Sequence, residues 1–267
     1  MKPFLFPVVL AATVLAGCMD METRVIVNPD GSGLVHEKFM VKNEMAEQMK
    51  KSMGGAETPD ADKKMYKLEE LKQKAVEYGE GVAFVSVSDT AIATHKGYLA
   101  VYSFTDVTKL KINQSLKGKA GSGAKPEDAE YLVFQFVKGK EPNLTVIMPE
   151  KKPGNEKKDL AEQKPPVDDA AMEKQMKMMK AMFDGMRFAL LVQVNGNIIK
   201  SNATHVKDGT VTLFDIEFGK LLENTEKLKE LSGKKPASMQ ETKAMLQGIP
   251  GLVIEPEGKV TVLFKGK

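Results

Sequence analysis

Arg187-Phe188-Ala189-Leu190-Leu191-Val192-Gln193-Val194, followed by Asn195-Gly196, opens the stretch whose reading decides the fold. It continues through Asn197–His205, then Asp208-Gly209, then Thr210–Phe218. Runs rich in β-branched and aromatic residues are separated by an Asn-Gly and an Asp-Gly pair. Such pairs supply the positive φ angles of a two-residue type I′ turn, so the spacing predicts a three-strand antiparallel meander.

Further strand signals lie on either side. Met21–Asn28 alternates, with Thr23, Val25 and Val27 on one face and Glu22, Arg24 and Asn28 on the other. Pro29-Asp30-Gly31-Ser32-Gly33 is turn chemistry, and Leu34–Val41 resumes alternation with Val35, Phe39 and Val41, which predicts a hairpin. A second β block runs from Val82 to about Ile112, where Tyr98, Ala100, Tyr102 and Phe104 oppose Leu99, Val101 and Ser103. Tyr131–Val137 and Leu144–Met148 read as two more strands. Leu252–Glu255 and Lys259–Phe264 read as a closing hairpin around Glu257-Gly258.

Helical spacing appears between these blocks. Asn43 caps a short helix to Ser52, and Asp62–Tyr78 carries Met65, Leu68, Leu71, Ala75 and Tyr78 on one stripe. Asp168 and Asp169 open a helix to about Asp184, with Met172, Met176, Met179 and Phe183 along one seam. Lys220–Leu231 and Ser238–Gln247 complete the set. Strands and helices come in blocks, and the turns favour antiparallel pairing. The expected class is α+β: antiparallel hairpins and a meander with amphipathic helices packed on the sheets. The organisation reads as an N-terminal half, 18–149, and a C-terminal half, 168–267, either separate or forming one composite domain. A charged stretch with three prolines, 150–167, joins them as a linker or long loop, and 113–129 reads as an exposed loop rich in Lys, Gly and Ser.

The N-terminus carries an address. Met1-Lys2 precedes an uncharged, apolar run to Gly17, the outline of a secretory signal over residues 1–17. The run is shorter than the roughly 20 residues a membrane span needs. Leu15-Ala16-Gly17-Cys18 resembles the lipobox of bacterial lipoproteins at every position. That resemblance implies cleavage before Cys18 and acylation of its thiol, which makes membrane lipid the expected partner. Cys18 is also the one cysteine in 267 residues, so no internal disulfide braces the fold. Met19 stands where an Asp would retain the protein at the inner membrane under enteric-like sorting. The expected location is therefore the periplasmic face of the outer membrane.

Two larger segments extend the resemblance. The lipobox, a strand, Asn28-Pro29-Asp30-Gly31-Ser32-Gly33 and a second strand resemble bacterial lipoproteins loosely related to the mycobacterial LppM type. The run from Gly97 to Val107 and the segment from Val194 to Ala203 are similar to recurring parts of that group. Coverage is roughly 18–112 and 186–218. The resemblance implies binding of lipid or glycolipid, and it transfers no catalytic residue.

Candidate chemistry is sparse. The three histidines, His36, His95 and His205, are too far apart in sequence for an i, i+2 or i, i+4 metal pair. There is no Gly-x-Ser-x-Gly elbow and no phosphate-binding Gly-Lys-Ser/Thr ending. Asp30 has no carboxylate within five residues on either side, so a calcium loop is a poor account of it. The 17 methionines are the unusual feature. Thioethers are soft copper ligands. Even so, Met172, Met176, Met179 and Phe183 at helical spacing read first as a buried face, and next as an adaptable groove for lipid or a partner. Lysines in 109–125 and 138–164 are interleaved with acids. Without the signal, 38 basic residues face 36 acidic ones, which makes no electrostatic case for nucleic acid. No cofactor, metal site or catalytic residue is expected. The leading expectation is a non-enzymatic, lipid-anchored envelope protein that binds or scaffolds a partner at the membrane surface. A lipid carrier with an apolar cavity comes second, and an enzyme third.

Overall fold

The computed structural model describes residues 19–47, 64–114, 130–149, 183, 185–224, 241 and 245–266. In chain order the strands are β1 (Met19–Val27), β2 (Gly33–Lys42), β3 (Val82–Ala91), β4 (His95–Phe104), β5 (Val133–Val137) and β6 (Asn143–Ile147). They continue with β7 (Arg187–Val194), β8 (Gly196–Ser201), β9 (Val206–Lys207), β10 (Thr210–Glu217), β11 (Leu252–Ile254) and β12 (Lys259–Gly266). Helix α1 spans Leu68–Glu77, α2 spans Phe218–Glu223, and Val107–Lys109 form a 3₁₀ turn.

The local hairpins form where alternation and turn residues agree. β1 and β2 pair antiparallel from Met19↔Val41 to Val27↔Gly33. Their turn closes through Asn28 N–H donating to the Ser32 carbonyl at 2.8 Å, and the Asp30 carboxylate accepts from the Ser32 hydroxyl at 2.6 Å and from Ser32 N at 2.9 Å. That bonding lowers the Asp30 pKa. β3 and β4 pair in the same way, with a bulge between Phe84 and Ser86, and β4 adds to β2. The large sheet then takes a partner from the distant half of the chain: β7 lies parallel to β1, from Asp20↔Arg187 to Val27↔Val194. Its order is β11-β10-β7-β1-β2-β4-β3, with β9 attached to β10. A second sheet runs β5-β6-β12-β8.

The α+β expectation is overturned. Strands dominate, and a second sheet shares the large sheet's core where helices were expected. Val25, Val35, Leu190 and Val192 of the large sheet belong to one buried cluster with Phe134, Leu144, Val262 and Phe264 of the small one. Period-2 faces on both sheets bury each other at the usual face-to-face spacing of about 10 Å. Helix α1 does bury Leu71 and Ala75, and Tyr78 beyond its end is buried too. Leu68, expected on the same stripe, is 43% exposed. Of the other expected helices, α2 is a short piece of Lys220–Leu231, and the seam over 168–184 lies almost wholly outside the described residues. Among the described residues no helix is long and apolar enough to cross a membrane.

The meander is corrected as well. β7 has β1 on one side and β10 on the other, which leaves no edge for β8. β8 instead crosses to the small sheet and pairs with β12. Only glycine fits at the crossing: a Cβ on Gly196 would sit 2.3 Å from the Lys265 carbonyl oxygen. The expected closing hairpin also splits between sheets, since β11 pairs with β10 while β12 pairs with β6 and β8. Glu255 sits at this second crossing, fully buried. Its carboxylate accepts from the backbone N–H of Thr204 (2.8 Å), His205 (3.2 Å) and Glu257 (3.2 Å).

Candidate functional site

Glu37 lies in the inward phase of β2, between Val35 and Val41, both fully buried. An unpaired carboxylate there would be costly. Two groups from the end of α1 answer it. Lys74 Nζ donates to Glu37 Oε1 at 2.6 Å, and Tyr78 Oη donates to Oε2 at 2.7 Å. Lys74 and Tyr78 stand four residues apart, which puts both on one face of the turn. The Tyr78 ring meets Tyr102 edge-on at 5.0 Å, and Tyr102 meets Phe84 at 5.8 Å. Burial, reinforced by the Glu37 carboxylate, pushes the Tyr78 phenol well above its usual range, so it stays the protonated donor this bond requires. Burial likewise raises the Tyr98 and Tyr102 phenols. Among the described residues, the buried Tyr102 hydroxyl has no hydrogen-bond partner.

This trio floors a cleft of about 180 Å³ whose walls include Met21, Thr23, Lys111 and Tyr131. Charged side chains line much of it, which suits an acyl chain poorly. Both Glu37 oxygens are occupied by neighbouring side chains, and its side chain is only 6% exposed. The two bonds brace the end of α1 against β2.

The opposite face of the large sheet carries a cross-strand ladder of charges. Arg187 on β7 holds Asp215 of β10 in a forked pair, Nε to Oδ1 at 2.8 Å and Nη2 to Oδ2 at 2.7 Å. Its Nη1 reaches Asp20 of β1 at 3.1 Å. Lys38 of β2 continues the row to Asp20 at 2.8 Å, and Arg24 pairs with Glu22 at 2.9 Å. These carboxylates raise the Arg187 pKa against the opposing effect of burial. His36 belongs to the same face, opposite Arg24 in register. Burial, with Arg24 assisting, lowers its pKa.

The residues singled out in the sequence do not converge here. Cys18, Met172, Met176 and Met179 lie outside the described residues. Phe183 is half-buried and stacks on Phe218 at 5.6 Å, and Phe218 meets Phe188 edge-on at 5.9 Å. His36 is on β2, His95 opens β4, and His205 precedes β9. Among the described residues no three of His, Cys, Asp and Glu gather to hold a metal ion. Glu37, Lys74 and Glu255 went unnoticed in the sequence, and Tyr78 was read only as part of an apolar stripe. Glu37 did leave a signal: it is a carboxylate in the apolar phase of an alternating strand.

No protein-family model and no curated protein matches the chain. Among solved structures it is similar to the folded domain of the Mycobacterium tuberculosis LppM protein, determined by NMR. The identity is 10%, coverage is 100% of this chain and 96% of that one, and the TM-score is 0.34. At that score the likeness establishes neither fold nor function.

Proposed function

We propose that this chain is a non-enzymatic, lipid-anchored protein of the cell envelope that binds or scaffolds a partner at the membrane surface. One observation carries the reading: the residue after Cys18 is already part of the frame. Met19 opens β1 and pairs with Val41, and β1 lies near the middle of the large sheet. Acyl chains on Cys18, at about 0.8 kcal/mol per buried CH₂, would hold the sheet against the bilayer without slack. A rigid frame held at fixed height suits a stationary scaffold better than a shuttling carrier. The mutual bonding of Glu37, Lys74 and Tyr78 supports a bracing role for the polar residues of the cleft. Under enteric-like sorting, Met19 directs the protein to the periplasmic face of the outer membrane.

Metabolic labelling with a fatty-acid probe tests the anchor. The wild-type chain should take up label, and Cys18→Ala should not; equal incorporation overturns the reading. Organic extraction of a chain lacking residues 1–18, followed by mass spectrometry, separates scaffold from carrier. A scaffold yields no stoichiometric lipid, whereas one lipid per chain would transfer the proposal to a carrier.

A further inference from the structure

One turn of the large sheet differs in chemistry from the turns at the opposite end. β1 begins at Met19 on one rim, where β2 ends at Lys42, β3 ends at Ala91 and β4 begins at His95. Cys18 adjoins Met19, so whatever is attached to Cys18 holds this rim. The turn between β3 and β4 projects from the same rim, and Thr90-Ala91-Ile92-Ala93-Thr94 contains no charge. Ile92 at its tip is 61% exposed. The opposite rim presents charged turns: Asp30 lies in the β1–β2 turn, and Lys138, Lys140 and Glu141 join β5 to β6 beside it, where Phe136 packs against Gly31.

Three backbone groups of the uncharged tip are bonded. Ile92 N–H donates to the His95 carbonyl at 2.9 Å. Asn43, just past β2, donates its backbone N–H to the Thr94 carbonyl at 3.1 Å and its side-chain amide to the Ala93 carbonyl at 3.0 Å. Bare backbone polar groups are what exclude irregular chain from the apolar layer of a membrane. Here Asn43 satisfies two of them, the Ala93 and Thr94 carbonyls, while its own Oδ1 is buried without a partner among the described residues. Of the charges around it, Asp89 pairs with Lys64 and Lys96 with Glu47, while Glu44 beside Asn43 is exposed.

We propose that the Ala91–Thr94 turn is a second membrane contact, with Ile92 entering the interface of the bilayer that holds Cys18. The inference rests on the anchoring reading above. β3 is three places from β1 in the sheet, so the tip stands about 14 Å from the anchor at the usual strand spacing of about 4.8 Å. Two contacts at that separation fix the tilt of the sheet, where the acyl anchor alone would let it pivot.

The chain contains no tryptophan, so one introduced indole is an unambiguous reporter. Ile92→Trp is compared with Val137→Trp, an exposed site at the end of β5 next to the charged turn. Each full-length acylated chain is placed in phosphatidylcholine–phosphatidylglycerol vesicles containing lipid brominated high on the acyl chain. The Ile92→Trp emission should shift to the blue and be quenched, while Val137→Trp emission stays that of an indole in water. Equal emission and quenching at the two sites, with the acyl group on Cys18 verified by mass, overturns the second contact and leaves the anchor standing. A chain whose Cys18 carries no acyl group overturns both.

Discussion

Asn195-Gly196 and Asp208-Gly209 have the same sequence signature and opposite outcomes. At the second pair the φ angles are +48° for Asp208 and +75° for Gly209, and β9 and β10 fold back on each other. At the first, neither residue has a positive φ, and the chain runs on from the large sheet into the small one. Position, not the pair, makes the difference. β7 ends with both edges occupied, one of them by a parallel strand from the far N-terminal part of the chain. The backbone N–H of Asn195 goes to the Val27 carbonyl at 2.8 Å, extending that parallel contact past the end of β7. A hairpin at 195–196 would need an edge that β1 already occupies. The lesson is that an Asx-Gly pair permits a reversal, and strand-edge competition decides whether one forms.

If the crossings between sheets are what hold this fold in register, the largest loss should come from the crossing at Glu255. Replacing it by alanine removes the acceptor of three backbone N–H groups in a fully buried position. Each buried donor left unsatisfied costs about 1–3 kcal/mol. Glu255→Ala should lower the unfolding free energy by about 4 kcal/mol in urea titration, allowing for partial access of water. Glu255→Gln, which keeps one carbonyl oxygen, should lose about half as much. A neutral alanine variant would mean that the β11–β12 crossing is not held by this side chain.

The other crossing comes next. Gly196→Ala places a methyl 2.3 Å from the Lys265 carbonyl oxygen, in the backbone of β12, where neither neighbour can rotate away. The expected loss is about 3 kcal/mol, in the upper part of the range for overpacking. Gly209→Ala is the matched control. Its added methyl would meet nothing nearer than 3.4 Å, so the cost is the left-handed conformation alone, about 1–2 kcal/mol. Gly196→Ala should therefore be the worse variant although Gly209 has the positive φ. A reversed order would restore the hairpin reading of 195–196.

What could be read from the sequence follows the distance over which each signal acts. The β1–β2 and β3–β4 hairpins were legible because alternation and turn chemistry are local; Thr23, Val25 and Val27 do share the buried face of β1. The parallel β1–β7 pair was not legible, since nothing in either segment names a partner about 165 residues away. Once that pair exists, β8 must leave the large sheet, and the meander and closing hairpin fail together. The helices were overweighted because a 3.6-residue stripe states only that one face wants burial. It is silent on whether a second sheet covers the neighbouring strands first. In the cleft, Glu37 was legible as a polar residue out of phase, whereas Lys74 and Tyr78 become its partners only when α1 docks.

The smallest effect is also the most direct probe of the two pairs. Asp208 occupies a left-handed conformation that asparagine also tolerates, so Asp208→Asn should change stability by no more than about 0.3 kcal/mol. Asn195 has no such demand on its backbone. Its side-chain amide donates to Asn28 Oδ1 at 3.1 Å across an exposed gap, and Asn195→Ala should cost about 0.5 kcal/mol, the low end for a hydrogen bond open to water. For a chain of this size that corresponds to a fall of about 1–2 °C in melting temperature. A loss at Asn195 as large as that of Gly209→Ala would mean that residue 195 carries backbone strain of its own. Both Asx-Gly pairs would then be strained turns.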